Sequence, residues 1–216
     1  MLIKILGNQN TIIDQYIAEL RDANIQQDSM RFRHNLERIG ELFAYEISKE
    51  LDYETRQVLT SLGVADVPML KNYPVLATIL RAGLPLHQGL LNIFDKSSNA
   101  FVSAYRRYHK DGNFNIKVEY SSCPVIEDKV LILSDAMLAT GLSMHLCYKE
   151  LISNGTPSHT HLVTVLASAE GIEYLKRKFK NSATLWVGAV DSDLTAQAYI
   201  VPGLGDAGDL AFGAKD

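Results

Sequence analysis

Five short, almost wholly apolar runs constrain this chain more than any other feature: 75–80, 101–104, 130–133, 161–167 and 185–190. A strand that is apolar on both faces suits the interior of a parallel sheet, which has to be covered by helices on each side. Helical stretches do separate several of the runs, at 86–94, at 143–154 (stopped by Gly155) and at 170–180. Strands alternating with helices predict an α/β fold, a doubly wound and mostly parallel sheet flanked by helices. Such sheets bind ligands at the carboxyl ends of their strands, so the loops after the strands are the places to look for chemistry.

Ahead of the sheet, Phe32, Leu36, Ile39, Phe43 and Ile47 recur at three- and four-residue steps. They predict a long amphipathic helix over 28–51 with Asp28 or Ser29 as N-cap. Residues 53–62 are richer in β-formers and end at Gly63, which reads as an extended arm or hairpin. With 216 residues, 47% of them hydrophobic, the chain is expected to form one domain. Its parts are N-terminal helices and arm (1–70), a core sheet (71–190) and a C-terminal loop region (191–216). A net charge of −4 argues against a nucleic-acid partner, whose footprint is a basic face. Cys123 and Cys147 are too few for a disulfide framework and read as reduced thiols. The pieces Leu2-Ile3 and Ile5-Leu6, split by Lys4, do not make a secretory signal, and no run is long enough to span a membrane. The cytoplasm is the expected compartment.

Three loops carry chemistry. After the 130–134 run comes Asp135-Ala136-Met137-Leu138-Ala139-Thr140-Gly141-Leu142-Ser143, and then a helix. An acid at a strand end, a Thr-Gly-x-Ser turn and a helix start make a phosphate cradle: unpaired amides point at the anion, and the helix dipole favours its charge. By itself such a loop is as readily a capped helix beside an incidental acid. The second piece, Arg81-Ala82-Gly83, sets a cation at another strand end, where a lone arginine is usually a solvated charge. The third, from Tyr199 through Ile200, Pro202, Gly203, Gly205, Asp206, Ala207 and Gly208 to Asp209, is too rich in glycine and acid to be a regular element. It reads as a wound loop whose backbone can hydrogen-bond a small planar ligand. The bland alternative, a disordered tail, is weakened by the apolar Ile200, Val201 and Phe212.

In this order and spacing the three segments resemble the uracil phosphoribosyltransferase family, and Arg31-Phe32-Arg33 and Tyr45-Glu46 extend the likeness into the N-terminal half. The resemblance implies the substrates uracil and 5-phosphoribosyl-1-pyrophosphate (PRPP), with UMP and pyrophosphate as products. It implies Arg81 and Arg106, the latter from a mobile loop, on the pyrophosphate. It implies Asp135 on the ribose hydroxyls, and the loop through Ala136, Met137, Leu138, Ala139, Thr140, Gly141, Leu142 and Ser143 around the 5-phosphate. Ile200 with the backbone of Gly205, Asp206 and Ala207 is implied for uracil, Asp206 lying also near the ribose or a Mg²⁺ ion brought by the pyrophosphate. Asp135, Arg81 and Arg106 are then the catalytic groups, and a homodimer or larger homo-oligomer is expected. The chain departs from the family pattern at Ala136 and Leu142, at Pro85, and in the segment Arg107-Tyr108-His109-Lys110, which lacks an acidic pair. Rival readings are an enzyme of this fold for another base, a regulator binding UMP or RNA, and an inactive scaffold. The six histidines, His159-x-His161 included, lack a completing acid or cysteine and are expected to be structural or surface residues.

Overall fold

The computed structural model describes residues 1–108 and 114–214, and the side chains of these except at 104–108 and 114–118. Strand β1 (Leu2–Ile5) precedes helix α1 (Ile12–Arg21) and the 20-residue helix α2 (Ser29–Ser48). A hairpin follows, β2 (Tyr53–Leu59) and β3 (Val64–Leu70). Then come β4 (Val75–Leu80), α3 (Leu84–Ile93), β5 (Asn99–Tyr108), β6 (Phe114–Ser122), β7 (Val130–Leu138) and α4 (Leu142–Leu151). The chain continues through β8 (His159–Ser168), α5 (Ala169–Phe179), β9 (Ala183–Asp191), β10 (Asp193–Leu194), β11 (Ile200–Val201) and α6 (Ala207–Phe212).

Seven strands form the central sheet in the order β1-β9-β8-β7-β4-β5-β6, all neighbours parallel except the antiparallel pair β5–β6. From β4 the chain winds one way to β5; from β7 it winds the other way through β8 and β9. The order therefore reverses between β4 and β7, and that is where an open α/β sheet has its crevice. β7 pairs with β4 only from Leu131 to Ser134 but stays paired with β8 as far as Leu138. The gap between the two strands thus opens at Asp135.

The inner strands of the sheet are buried on both faces, as their sequence implied: every residue of β9 except Val190 is buried, and one core contains Trp186, Phe32 and Phe43. α2 covers one face, capped by Asp28, whose carboxylate accepts from the Met30 and Arg31 amides. It lies directly against α3, because a Cβ on Gly40 would stand 2.3 Å from the Leu86 carbonyl oxygen and one on Gly89 1.9 Å from that of Glu37. Neither position tolerates a side chain without moving a helix.

Several expectations need correction. β7 does not end at Asp135 but runs on to Leu138, because β8 continues to pair with it. α3 starts at Leu84, which makes Pro85 its second residue. β1, α1 and β6 were not foreseen. The C-terminal loop is less irregular than its composition suggests, since Ile200–Val201 pairs with Asp193–Leu194 and α6 follows. The β2–β3 hairpin forms its own two-stranded sheet, with Leu59 83% and Leu62 98% exposed. Among the described residues no helix is long and apolar enough to cross a membrane.

Candidate active site

A cleft of about 590 Å³ lies over the β4–β7 gap. Its wall includes Arg81 and Ala82 after β4, Asp135 and Met137 on β7, the turn through Leu138, Ala139, Thr140, Gly141 and Ser143, and Ile200, Gly205, Asp206, Ala207 and Gly208. Three segments remote in sequence therefore meet around one cavity. Two residues of the predicted loop do not line it. Strand alternation sends Ala136 into the core, fully buried, while Asp135 and Met137 face the cavity. Leu142, the first residue of α4, is not part of the wall. Arg106 stands on strand β5 rather than in a loop, opposite Ile116 of β6, and its side chain lies outside those described. Tyr199 and Ala198, given no role from the sequence, join the wall. Tyr199 opens the third motif, so the signal for it was there.

The turn before α4 is shaped by glycine. Gly141, the N-cap, has φ +78°, and a Cβ there would meet the Tyr174 ring at 2.9 Å. α5 packs close behind: a Cβ on Gly171 would lie 2.3 Å from the Ala139 carbonyl oxygen. Ser168 ties the two together, its hydroxyl donating to that same carbonyl oxygen (2.5 Å) and accepting from the Gly171 amide (2.9 Å). With the Ala139 carbonyl fixed on the far side, the turn and the start of α4 are left to face the cavity. The result is a helix N-terminus suited to an anion.

Asp135 sits where the gap opens. Burial pushes its carboxyl up to about 7, against the pull of hydrogen bonds from the Ala136 and Met137 amides. A carboxyl raised in this way and facing a cleft is a candidate functional group. Arg81 follows a cis Leu80–Arg81 bond. Its Nη2 donates to Asp209 Oδ1 (2.9 Å) and the Gly213 carbonyl oxygen (3.3 Å), while its buried Nε has no partner among the described residues. A buried guanidinium N–H without an acceptor is costly, and an anion in the cleft would satisfy it.

On the opposite side, Asp206 is engaged through one carboxylate oxygen, which caps α6 by accepting from the Gly208 (2.9 Å) and Asp209 (3.1 Å) amides. Gly205, by contrast, has open space where a Cβ would stand and φ +94°. Its backbone is accessible. Among the described residues no three His, Cys, Asp or Glu side chains gather as a metal cage. His161 is a core residue: its Nδ1 accepts from Trp186 Nε1 (3.1 Å), and burial pushes its pKa down to about 3. Cys123 and Cys147 are unpaired thiols.

Comparison with known proteins agrees with this geometry. A family model described as uracil phosphoribosyltransferase matches residues 7–214. A uracil phosphoribosyltransferase of Porphyromonas gingivalis is 50% identical over 210 residues, covering 97% of this chain and 97% of that protein. One from Pyrococcus furiosus is 38% identical, covering 93% of this chain and 86% of the relative. The structure of the AQ2163 protein from Aquifex aeolicus superposes with a TM-score of 0.87 over 98% of both chains at 28% identity. Adenine phosphoribosyl transferase from Trypanosoma brucei, at 11% identity and a TM-score of 0.53 over 88% of this chain and 83% of that one, shares the fold.

Proposed function

The chain belongs to the uracil phosphoribosyltransferase family, and from that premise we propose that it transfers the phosphoribosyl group of PRPP to uracil in the cleft between β4 and β7. The observation that carries this reading is the convergence there of a helix start suited to an anion, a half-buried carboxyl and an open backbone loop. The 5-phosphate occupies the turn from Leu138 to Ser143, where α4 amides and the Thr140 and Ser143 hydroxyls donate to it. Asp135 accepts hydrogen bonds from the two ribose hydroxyls. Arg81 turns its orphan Nε–H toward the pyrophosphate, with Arg106 as the expected second cation.

In the reaction the bond from the anomeric carbon to pyrophosphate oxygen breaks and a bond from that carbon to uracil N1 forms. The N1 proton leaves to pyrophosphate or solvent. The ring becomes positive as the leaving group becomes negative, so the protein has to position the reactants and stabilise charge. Two carboxylates, Asp135 and Asp206, without a cage suit Mg²⁺, which keeps several waters and is carried mainly by substrate phosphates. Bound there, it would neutralise the departing pyrophosphate.

Uracil is read by Ile200 and the backbone of Gly205, Asp206 and Ala207. Amides meeting its oxo groups and a carbonyl meeting its ring N–H mismatch cytosine twice, so rejection of roughly 10⁴-fold is reachable. Incubation with PRPP, Mg²⁺ and each nucleobase should release pyrophosphate with uracil and essentially none with cytosine. Cytosine turnover within tenfold of uracil would overturn the backbone readout.

The chain acts as one domain in the cytoplasm and as at least a dimer. A lone two-stranded hairpin is marginal in water. The apolar, exposed β2–β3 arm therefore argues for subunit contact. Light scattering at micromolar concentration should give twice the chain mass or more, and a monomer would overturn it.

A further inference from the structure

Behind the base loop, outside the cleft wall, lies a part-buried ion pair that joins segments far apart in the chain. Arg21, the last residue of α1, and Asp191, the last of β9 and 7% exposed, are 170 positions apart. The pair is bidentate: Nη1 donates to Oδ2 and Nη2 to Oδ1, both at 2.8 Å. What distinguishes it from an ordinary structural bridge is its third partner. Gly203 donates its amide to Asp191 Oδ2 (3.0 Å) and accepts from Arg21 Nη1 at its carbonyl (3.0 Å). One ion pair therefore fixes both polar groups of a single peptide residue.

Gly203 is the hinge of the loop. It has φ +55°, and a Cβ there would lie 2.0 Å from the Ile200 carbonyl oxygen, so the chain folds back tightly on the residue proposed to flank uracil. Two residues later comes Gly205, the first open amide of the readout. Leu204 between them is 5% exposed and packed in the core. A rotation of the Gly203 peptide would thus be transmitted directly to Gly205 and Asp206. Neither Arg21 nor Asp191 touches the cleft.

We propose that Arg21 and Asp191 are positioning residues for base recognition, setting the orientation of the uracil-reading amides from behind the loop. This rests on the uracil reading above. A charge-assisted bidentate pair is short and directional, so it holds an angle that a neutral contact would leave soft. Selectivity built from backbone amides depends on such angles, because the amides have no side-chain rotamers with which to adapt.

Arg21→Lys and Asp191→Asn each weaken the clamp while keeping the side-chain size close. Both should raise the KM for uracil about tenfold and lower the uracil-to-cytosine ratio of kcat/KM, with the KM for PRPP within about twofold of the parent. A general loosening of the fold would move both KM values together, and that outcome overturns the proposal, as does no change in either. Arg21→Lys combined with Asp191→Asn should be no worse than the poorer single variant, since the two act as one unit. Additive losses would count against it. Amide hydrogen exchange at 205–208 should speed up in both single variants, a readout that needs no turnover. Unchanged exchange there would also overturn the clamp. If the parent protein fails to consume uracil, the activity reading falls, while the exchange result still decides the clamp. If Asp191→Asn does not fold, Arg21→Lys carries the same set of measurements.

Discussion

The two loops that face each other across the cleft are held by different physics. The phosphate turn, from Leu138 to Ser143, grows out of a strand paired through Leu138 and is pinned by a neutral contact, Ser168 to Ala139, with Gly171 allowing the approach. The base loop hangs on a two-residue strand pair and is pinned by the ion pair of Arg21 and Asp191. A phosphate is a large, multiply charged target that a helix start attracts from many angles. A flat base with three polar edge groups is not, and it has to meet amides at set directions. Rigid charge-assisted bracing of the loop proposed for the base and a neutral hook on the turn proposed for the phosphate match those two demands.

The largest test falls on the acid at the mouth of the gap. Asp135→Asn should lower kcat/KM by roughly 10²–10⁴-fold with the fold intact, since two charge-assisted hydrogen bonds of about 1.5–3 kcal/mol each are at stake. Near-parental turnover in a folded variant would remove Asp135 from the ribose site. Next in size are two matched alanine substitutions, one behind each loop. Gly171→Ala drives a Cβ against the Ala139 carbonyl and should raise the KM for PRPP roughly 10–100-fold. Gly203→Ala strains the other loop and should act by a similar factor on uracil instead. If each variant shifted both substrates equally, the loops would be one mechanical unit and the comparison would fail.

Acidity separates them further. With the Asp135 carboxyl at about 7 in the free protein and the ionised form preferred by hydroxyl donors, PRPP affinity should fall as pH drops below 7. The expected slope approaches tenfold per pH unit. The effect on free-protein stability has the opposite sign. A carboxyl raised above its ordinary value makes the fold less stable as pH climbs from about 4 towards 7. For Asp191 burial acts upward, but hydrogen bonds from Arg21 and Gly203 outweigh it and hold the carboxyl below its ordinary value. The base-loop brace is therefore present above that ordinary value and lost only as pH falls through the lowered one. A PRPP profile with no inflection near 7 would contradict this assignment. The smallest effect belongs to Ser168→Ala, a loss of about 1 kcal/mol, or roughly fivefold in the KM for PRPP, independent of pH.

Much of this was legible in the chain. Parallel strands buried on both faces announce themselves as aliphatic runs, which is why β4, β7, β8 and β9 stood out, and the site loops follow them. β1 escaped because Lys4 interrupts four residues, yet Lys4 pairs with Glu50 and lies 4.7 Å over the Trp186 ring, so the charge is compatible with a strand. α1 had its signal in Thr11 and Asp14, whose carboxylate accepts from the Thr11 amide at 3.0 Å, a start mark that went unread. The edge strand β6 does carry a signal, since Phe114, Ile116, Val118 and Tyr120 alternate with Asn115, Lys117, Glu119 and Ser121 at the strand period of two. Nothing local joins Arg21 to Asp191 or Arg81 to Asp209, because such pairs exist only once the sheet order is known.

The pairing of β1 with β9, Leu2 beside Thr184 and Ile5 beside Val187, sets an order of events when the protein is made. β1 is docked against β9, the strand of this sheet that comes latest in chain order. At roughly 5–20 residues per second, the N-terminal segment waits about ten seconds or more for its partner. During that interval β4 to β8 can pair among themselves, because their neighbours lie nearer in sequence and close smaller loops. α1, attached to β1, brings Arg21 to Asp191 in the same late step. The brace behind the loop at Gly203 therefore forms only after β9 has been made, later than the turn that follows β7.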